Sequence, residues 1–125
     1  MSRYLLDTNV GLWLVDDPGR IRPEVMAALR VGGELTISAA SLWEAAIKAS
    51  LGKLKVREDW PSRLTEQGVV IVPVAQDVAW AVRSLPPVHK DPFDRLIVAQ
   101  GLHDGSTLVT SDAVLKRYGV ELLET

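Results

Sequence analysis

The hexapeptide Tyr4-Leu5-Leu6-Asp7-Thr8-Asn9 decides the architecture. Its apolar run stops at an acid, the pattern of a short buried strand with a polar group at its carboxyl end. That strand is expected over residues 3–7. Similar runs occupy residues 34–38, 69–74 and 107–110, with a weaker one at 120–123. The stretches between them carry helical spacing: Val25, Ala28 and Leu29; Trp43, Ala46, Ile47 and Leu51; Val78, Val82 and Leu85; Phe93, Leu96 and Ile97. Strands alternating with helices predict an α/β fold of three layers, α/β/α, around a mostly parallel central sheet of four to five strands with right-handed crossovers. Ligands of such sheets gather beyond the carboxyl ends of the strands.

Local signals place several boundaries. Pro23 suits a first helical turn, Ser38 or Ser41 can cap the helix holding Trp43, and Gly52 can end it. Asp91-Pro92 reads as a cap followed by proline at the first helical position, with Gly101 or Gly105 as the stop. No repeat, low-complexity tract or linker interrupts the 125 residues, so residues 1–125 are expected to form a single domain.

Composition narrows the class. The chain has no cysteine, which removes disulfide frameworks, thiolate zinc sites and cysteine nucleophiles and suits a reducing cytoplasm. Its uncharged stretches fall far short of the roughly 20 apolar residues of a membrane span. An acid at position 7 precedes any signal-like apolar region, so export is not expected. A net charge of −2 argues against a broad basic nucleic-acid coat, though not against a nuclease that meets phosphate through a cation.

Four acids fall at one edge of this map. Asp7 ends the first strand, Glu44 lies in the helix leaving the second, Asp94 sits in the first turn after Asp91-Pro92, and Asp112 follows the strand at 107–110. Only the fold can bring these distant positions together. Two ionised carboxylates about 5 Å apart repel by about 3 kcal/mol at an effective dielectric of roughly 20. A pocket of four must take up protons or hold a cation. Hard oxygen donors without cysteine favour Mg²⁺ or Mn²⁺, and such a site suits phosphodiester hydrolysis.

Each acid also has a purely structural reading. Glu44 can complete a capping box with Ser41 or pair with Lys48; Asp91 and Asp112 can cap helix starts; Asp94 suits the helix dipole. Asp7 leans toward function, with Thr8 and Asn9 available to orient it. His89, two positions before Asp91, could touch substrate or metal but is read as a solvated or hydrogen-bonded loop histidine outside the ligand set; His103 is read as a helix-end histidine without a catalytic role. The run Lys48, Lys53, Lys55 and Arg57 reads as a solvated face, with RNA phosphate as the sharper option. Trp43 and Trp80 are expected in the core, Trp13 and Trp60 as interface anchors.

The same residues resemble the PIN-domain family, in particular its VapC-type toxins of toxin–antitoxin pairs. Tyr4-Leu5-Leu6-Asp7-Thr8-Asn9 looks like the opening motif, Ser41-Leu42-Trp43-Glu44-Ala45-Ala46-Ile47-Lys48 like the second, and Leu85-Pro86-Pro87-Val88-His89-Lys90-Asp91-Pro92-Phe93-Asp94-Arg95-Leu96-Ile97-Val98-Ala99-Gln100 like the third. Thr110-Ser111-Asp112 is similar to the fourth. The resemblance implies a PIN-like fold and a catalytic metal site of Asp7, Glu44, Asp94 and Asp112, supported by Thr8, Asn9, Asp91, Arg95 and Ser111, with Asp91 pairing to Arg95. It further implies Mg²⁺- or Mn²⁺-dependent cleavage of RNA by activated water, a VapB-type antitoxin as partner, and a homodimer. Gly11 departs from the pattern, standing where a larger aliphatic residue is common.

Two other functions remain as alternatives. A phosphatase of the haloacid dehalogenase type also places an acid after its first strand, but needs a second acid where this chain has Asn9. A non-catalytic module would use the acids only for folding or for binding a partner or RNA.

Overall fold

A computed structural model describes residues 2–125. Five strands form one sheet: β1 (Arg3–Leu6), β2 (Glu34–Ser38), β3 (Val70–Val72), β4 (Thr107–Thr110) and β5 (Leu122–Glu124). Their order is β3-β2-β1-β4-β5 and every pairing is parallel. The chain builds outward from β1 to β3, then crosses to the other side of β1 for β4. The junction of β1 and β4 is therefore the point where strand order reverses, the usual ligand crevice of an open parallel sheet.

Six helices flank it: α1 (Thr8–Asp16), α2 (Pro23–Val31), α3 (Ala39–Ser50), α4 (Trp60–Glu66), α5 (Gln76–Ala81) and α6 (Pro92–Asp104). Alternation along the strands divides the core between the two faces. Leu6 and Val109 join Val10, Ile37, Trp60 and Leu64 on one side, whereas Leu5 and Leu108 join Ile97, Val98, Leu115 and Tyr118 on the other. Leu5, Leu6, Leu108 and Val109 are fully enclosed, and each such side chain is worth about 1.5–3 kcal/mol.

Caps follow the local chemistry. Ser38 caps α3 by accepting the Ala40 N–H, while Ser41 is buried and its hydroxyl takes no partner. Asp91 caps α6, whose end falls at Gly105 in the left-handed conformation (φ 65°). The strands at β3 and β5 are narrower than their apolar runs, and helices α1 and α4 were not expected. Residues 10–15 of α1 run without a polar residue, so no helical period shows between its polar ends, and α4 is under two turns long.

Three tryptophans depart from expectation. Trp60 is a core residue, not an interface anchor: it is fully buried and its indole N–H donates to the Gly11 carbonyl at 3.0 Å. Gly11 makes room for it, since a Cβ there would stand 2.6 Å from Ile37 Cδ1 and 3.3 Å from Trp60 Cζ2. Trp43 and Trp80, expected in the core, are 61% and 67% exposed. The buried stripe of α3 is Ala40, Ser41, Glu44 and Ala45, which leaves Trp43, Ala46 and Leu51 on the outside. Trp80 carries the Arg83 guanidinium 4.6 Å above its ring. Trp13 is half-buried against the first core cluster, beneath Arg20. No helix among the described residues is long and apolar enough to cross a membrane.

Candidate active site

Asp7 stands at the β1–β4 junction because β1 ends there and α1 begins. Its backbone is extended, as an N-cap requires, and one carboxylate oxygen accepts the Val10 N–H at 2.8 Å. The other accepts the Thr110 hydroxyl at 2.5 Å. Thr110 comes from the end of β4, and the same hydroxyl oxygen accepts the Asp112 N–H at 3.1 Å. A single threonine thus ties the first acid to the turn that carries the fourth. Beside them Glu44 enters from α3, held by the Thr8 hydroxyl at 2.6 Å and by Lys48 Nζ at 2.6 Å. Asp7 and Glu44 are both buried.

The opposite wall is the start of α6 with the loop before it. Asp91 caps the helix through one oxygen, which accepts the N–H groups of Phe93 and Asp94. One residue into the first turn after Phe93, Asp94 turns a half-buried carboxylate to the pocket, 3.5 Å from His89 Nε2. Asp112 Oδ1 accepts the Val114 N–H, and its Oδ2 lies 3.3 Å from the same His89 nitrogen. His89, Asp94 and Asp112 form a group whose ligand atoms all lie within 4.8 Å of one another.

The electrostatics record the crowding. Burial pushes the Asp7 carboxyl above its ordinary value; the bonds from Thr110 and Val10 oppose this, and the charges of Glu44 and Asp112 add to it. Asp94 is pushed up to about 6, first by burial and then by Asp91, with Glu44 and Asp7 adding and His89 opposing. Lys48 is held above its usual value, chiefly by its hydrogen bond to Glu44. The fold therefore gathers Asp7, Glu44, Asp94 and Asp112 into one field that the neighbouring cations leave undercompensated. An all-carboxylate set of this kind fits a hard divalent cation such as Mg²⁺ or Mn²⁺.

The supporting residues divide. Thr8 orients Glu44, not Asp7. Asn9 is exposed, and the bonds to Asp7 come from Val10 and Thr110 instead. Ser111 is exposed beside Asp112. Arg95 does not pair with Asp91: its guanidinium donates to the carbonyls of Val82, Leu85, Pro86 and His89 and to the Tyr118 hydroxyl, because α6 points it back along the preceding loop. The Lys48–Glu44 ion pair is present, so that lysine belongs to the site's edge, while Arg57 pairs with Asp59. Thr110 and Tyr118 escaped the sequence reading, and His89, set aside there as a loop histidine, lies against Asp94 and Asp112. A hydroxyl closing an apolar strand just before Ser-Asp was the available signal for Thr110; nothing local marks Tyr118.

Known proteins share this fold. A family model described as PIN domain matches residues 4–121. Ribonuclease VapC22 of Mycobacterium tuberculosis is 31% identical over 122 residues, covering 94% of this chain and 93% of that protein. Among solved structures, VapBC2 from Rickettsia felis bound to a promoter DNA fragment is similar with a TM-score of 0.74 and 20% identity, covering 97% of each chain. DNA-bound VapBC from Salmonella typhimurium is similar with a TM-score of 0.67 and 18% identity, covering 99% of this chain and 98% of that one. The structural likenesses establish the shared fold. With a family model spanning nearly all of its length and a relative matching it end to end, this chain belongs to the PIN domain family.

Proposed function

We propose that the chain is a divalent-metal-dependent endoribonuclease, the toxin of a VapBC-type toxin–antitoxin pair. The observation that carries this reading is the cluster of Asp7, Glu44, Asp94 and Asp112 at one sheet edge, where burial first, and then neighbouring carboxylates, push up Asp7 and Asp94 despite Lys48 and His89. The ribonuclease named among the relatives supports RNA as the substrate. Asp7, Glu44 and Asp94 would hold the principal ion, and Asp112 would help hold it or a second. When bound, an ion of this kind supplies stabilisation of negative charge on phosphoryl and leaving oxygens and a lower pKa for an attacking water. Thr110 fixes the direction of the Asp7 carboxylate, and Thr8 with Lys48 fixes that of Glu44. Asp91 sets the first turn of α6 and hence the place of Asp94. Lys48, about half-exposed and bonded to Glu44, would be the cation nearest the acids to meet an RNA phosphate.

The test is cleavage of a defined RNA by purified protein with Mg²⁺ or Mn²⁺, compared with excess chelator and with Asp7→Asn. Activity should vanish in both. Full cleavage under either condition refutes the reading, and a phosphoenzyme trapped at Asp7 would favour the phosphatase alternative. Calorimetry with Mn²⁺ addresses the non-catalytic alternative, for which Asp94→Asn should remove no binding.

The partner reading is a VapB-type antitoxin, supported by the solved VapBC complexes of similar fold and by exposed Trp43, whose ring meets Phe93 next to Asp94. Sequencing the adjacent reading frame and co-purifying any small DNA-binding protein it encodes tests it; a neighbour that does not bind this chain refutes the partner reading. The same reading takes residues 1–125 as one domain acting in the cytoplasm as a homodimer, which light scattering and limited proteolysis would check.

A further inference from the structure

The loop before α6 fixes one imidazole with its backbone and side chain both engaged. The His89 N–H donates to the Tyr118 hydroxyl at 2.8 Å, and its carbonyl accepts from Arg95 at 3.5 Å and from Tyr118 at 3.4 Å. Arg95 fastens the same loop further upstream through the carbonyls of Val82, Leu85 and Pro86. The Asp91 N–H donates to His89 Nδ1 at 3.0 Å. A backbone N–H can only donate, so Nδ1 presents its lone pair and the ring's N–H is at Nε2. That nitrogen faces Asp94 and Asp112 at 3.5 and 3.3 Å.

This tautomer separates two roles that spacing alone leaves equal. Metal ligation through Nε2 needs a lone pair there, normally with Nδ1–H donating to an acceptor behind it. Here the group behind the ring is itself a donor. We propose that His89 is a hydrogen-bond donor to a phosphate oxygen of the substrate RNA, and not a ligand of the metal. The inference rests on the endoribonuclease reading. Once Asp94 and Asp112 turn their charge to a cation, Nε2–H at their side is a donor directed to meet an anion, in addition to Lys48 beside Glu44. The fastened loop holds it there before substrate arrives, so little ordering cost remains on binding.

The test uses the full chain and the variants His89→Leu and His89→Gln. Calorimetry with Mn²⁺ should give affinities within about threefold of wild type for both, whereas loss of a group that itself holds the ion should cost at least about tenfold. Steady-state cleavage of a short oligoribonucleotide should fall about 10- to 100-fold in kcat/KM for His89→Leu, the usual size of a hydrogen bond to a charged group. His89→Gln, which keeps an N–H donor, should recover at least threefold of that loss. If the leucine variant melts below the assay temperature, His89→Asn, whose shorter amide stops before the site, takes its place with the same thresholds. A tenfold loss of Mn²⁺ affinity overturns the proposal, as does wild-type cleavage by His89→Leu. Wild-type protein that fails to cleave RNA would instead refute the endoribonuclease reading on which it stands.

Discussion

Replacing Asp94 by asparagine should make the ion-free protein more stable at pH 7.5. The carboxyl is pushed up from 3.8 to about 6, first by burial and then by the charge of Asp91. An acid whose folded pKa is raised holds its proton more tightly in the folded state, so stability falls as pH rises from about 4 to above 6. Above that window the ionised group carries the whole penalty. A shift of roughly two units corresponds to about 3 kcal/mol. The side chain is 29% exposed, and solvent screening reduces the figure to about 1–2 kcal/mol. Asparagine keeps the shape and loses the charge. In excess chelator, thermal unfolding followed by circular dichroism should therefore show the variant melting about 5 °C higher at pH 7.5. The gain should shrink steadily as pH falls below 6. Saturating Mn²⁺ should reverse the order, because binding to the native state raises only the wild type appreciably. An asparagine variant less stable than wild type in chelator, or a gain independent of pH, would refute the argument that this pocket is electrostatically strained without a cation.

Thr110→Val removes the hydroxyl that serves both Asp7 and Asp112 while keeping the shape of the strand end; calorimetry should show Mn²⁺ affinity reduced about 10- to 100-fold, with Thr110→Ser close to wild type. Gly11→Val forces methyl groups against Ile37 and Trp60 and should lower stability by about 1–3 kcal/mol in urea titration. His103 bridges Asp104 at 3.1 Å and Asp77 at 2.9 Å, linking α6 to α5, and those bonds, Asp104's first, raise its pKa. Its stabilising effect is complete below the unfolded value near 6.5 and is lost as pH rises through the folded one. Wild type should therefore exceed His103→Gln in melting temperature at pH 6, and the difference should close by pH 9.

The strands were legible because each is a short apolar run, and β1, β2 and β4, whose runs end at Asp7, Ser38 and Thr110, needed nothing more. The helices were harder where burial and hydrophobicity part company. In α3 the apolar stripe of Trp43, Ala46 and Leu51 lies outside, and the buried stripe contains Ser41 and Glu44. Helical spacing identified the helix and chose the wrong face, since the side turned to the acids is built from small and polar residues. The convergence of the acids could be read because strand ends and helix starts of a parallel sheet share an edge. Thr110 meets Asp7 across 103 residues and Arg95 meets Tyr118 across 23. Such pairs have no signature in local spacing and emerge only when β4 lies beside β1 and α6 packs against the turn that follows β4.

A carboxylate has two oxygens, and this site shows why choosing between a structural and a functional reading for each acid was a false choice. Asp7 gives Oδ1 to the start of α1 and Oδ2 to Thr110. Asp112 gives Oδ1 to the Val114 N–H and leaves Oδ2 toward His89. Capping fixes the side chain's torsions, and with them the direction of the second oxygen, so one hydrogen bond both stabilises the helix start and aims the charge. Replacing either acid by alanine would therefore mix the loss of a cap, worth about 1 kcal/mol, with relief of repulsion. Asparagine, which retains an acceptor for the cap, separates the two. Asp94 makes no such cap bond, since Asp91 accepts the N–H groups at its helix start, and it is the acid whose charge can be removed with least damage to the framework. For that reason its stability response in chelator reads the field of the pocket more cleanly than any change at Asp7 or Asp112.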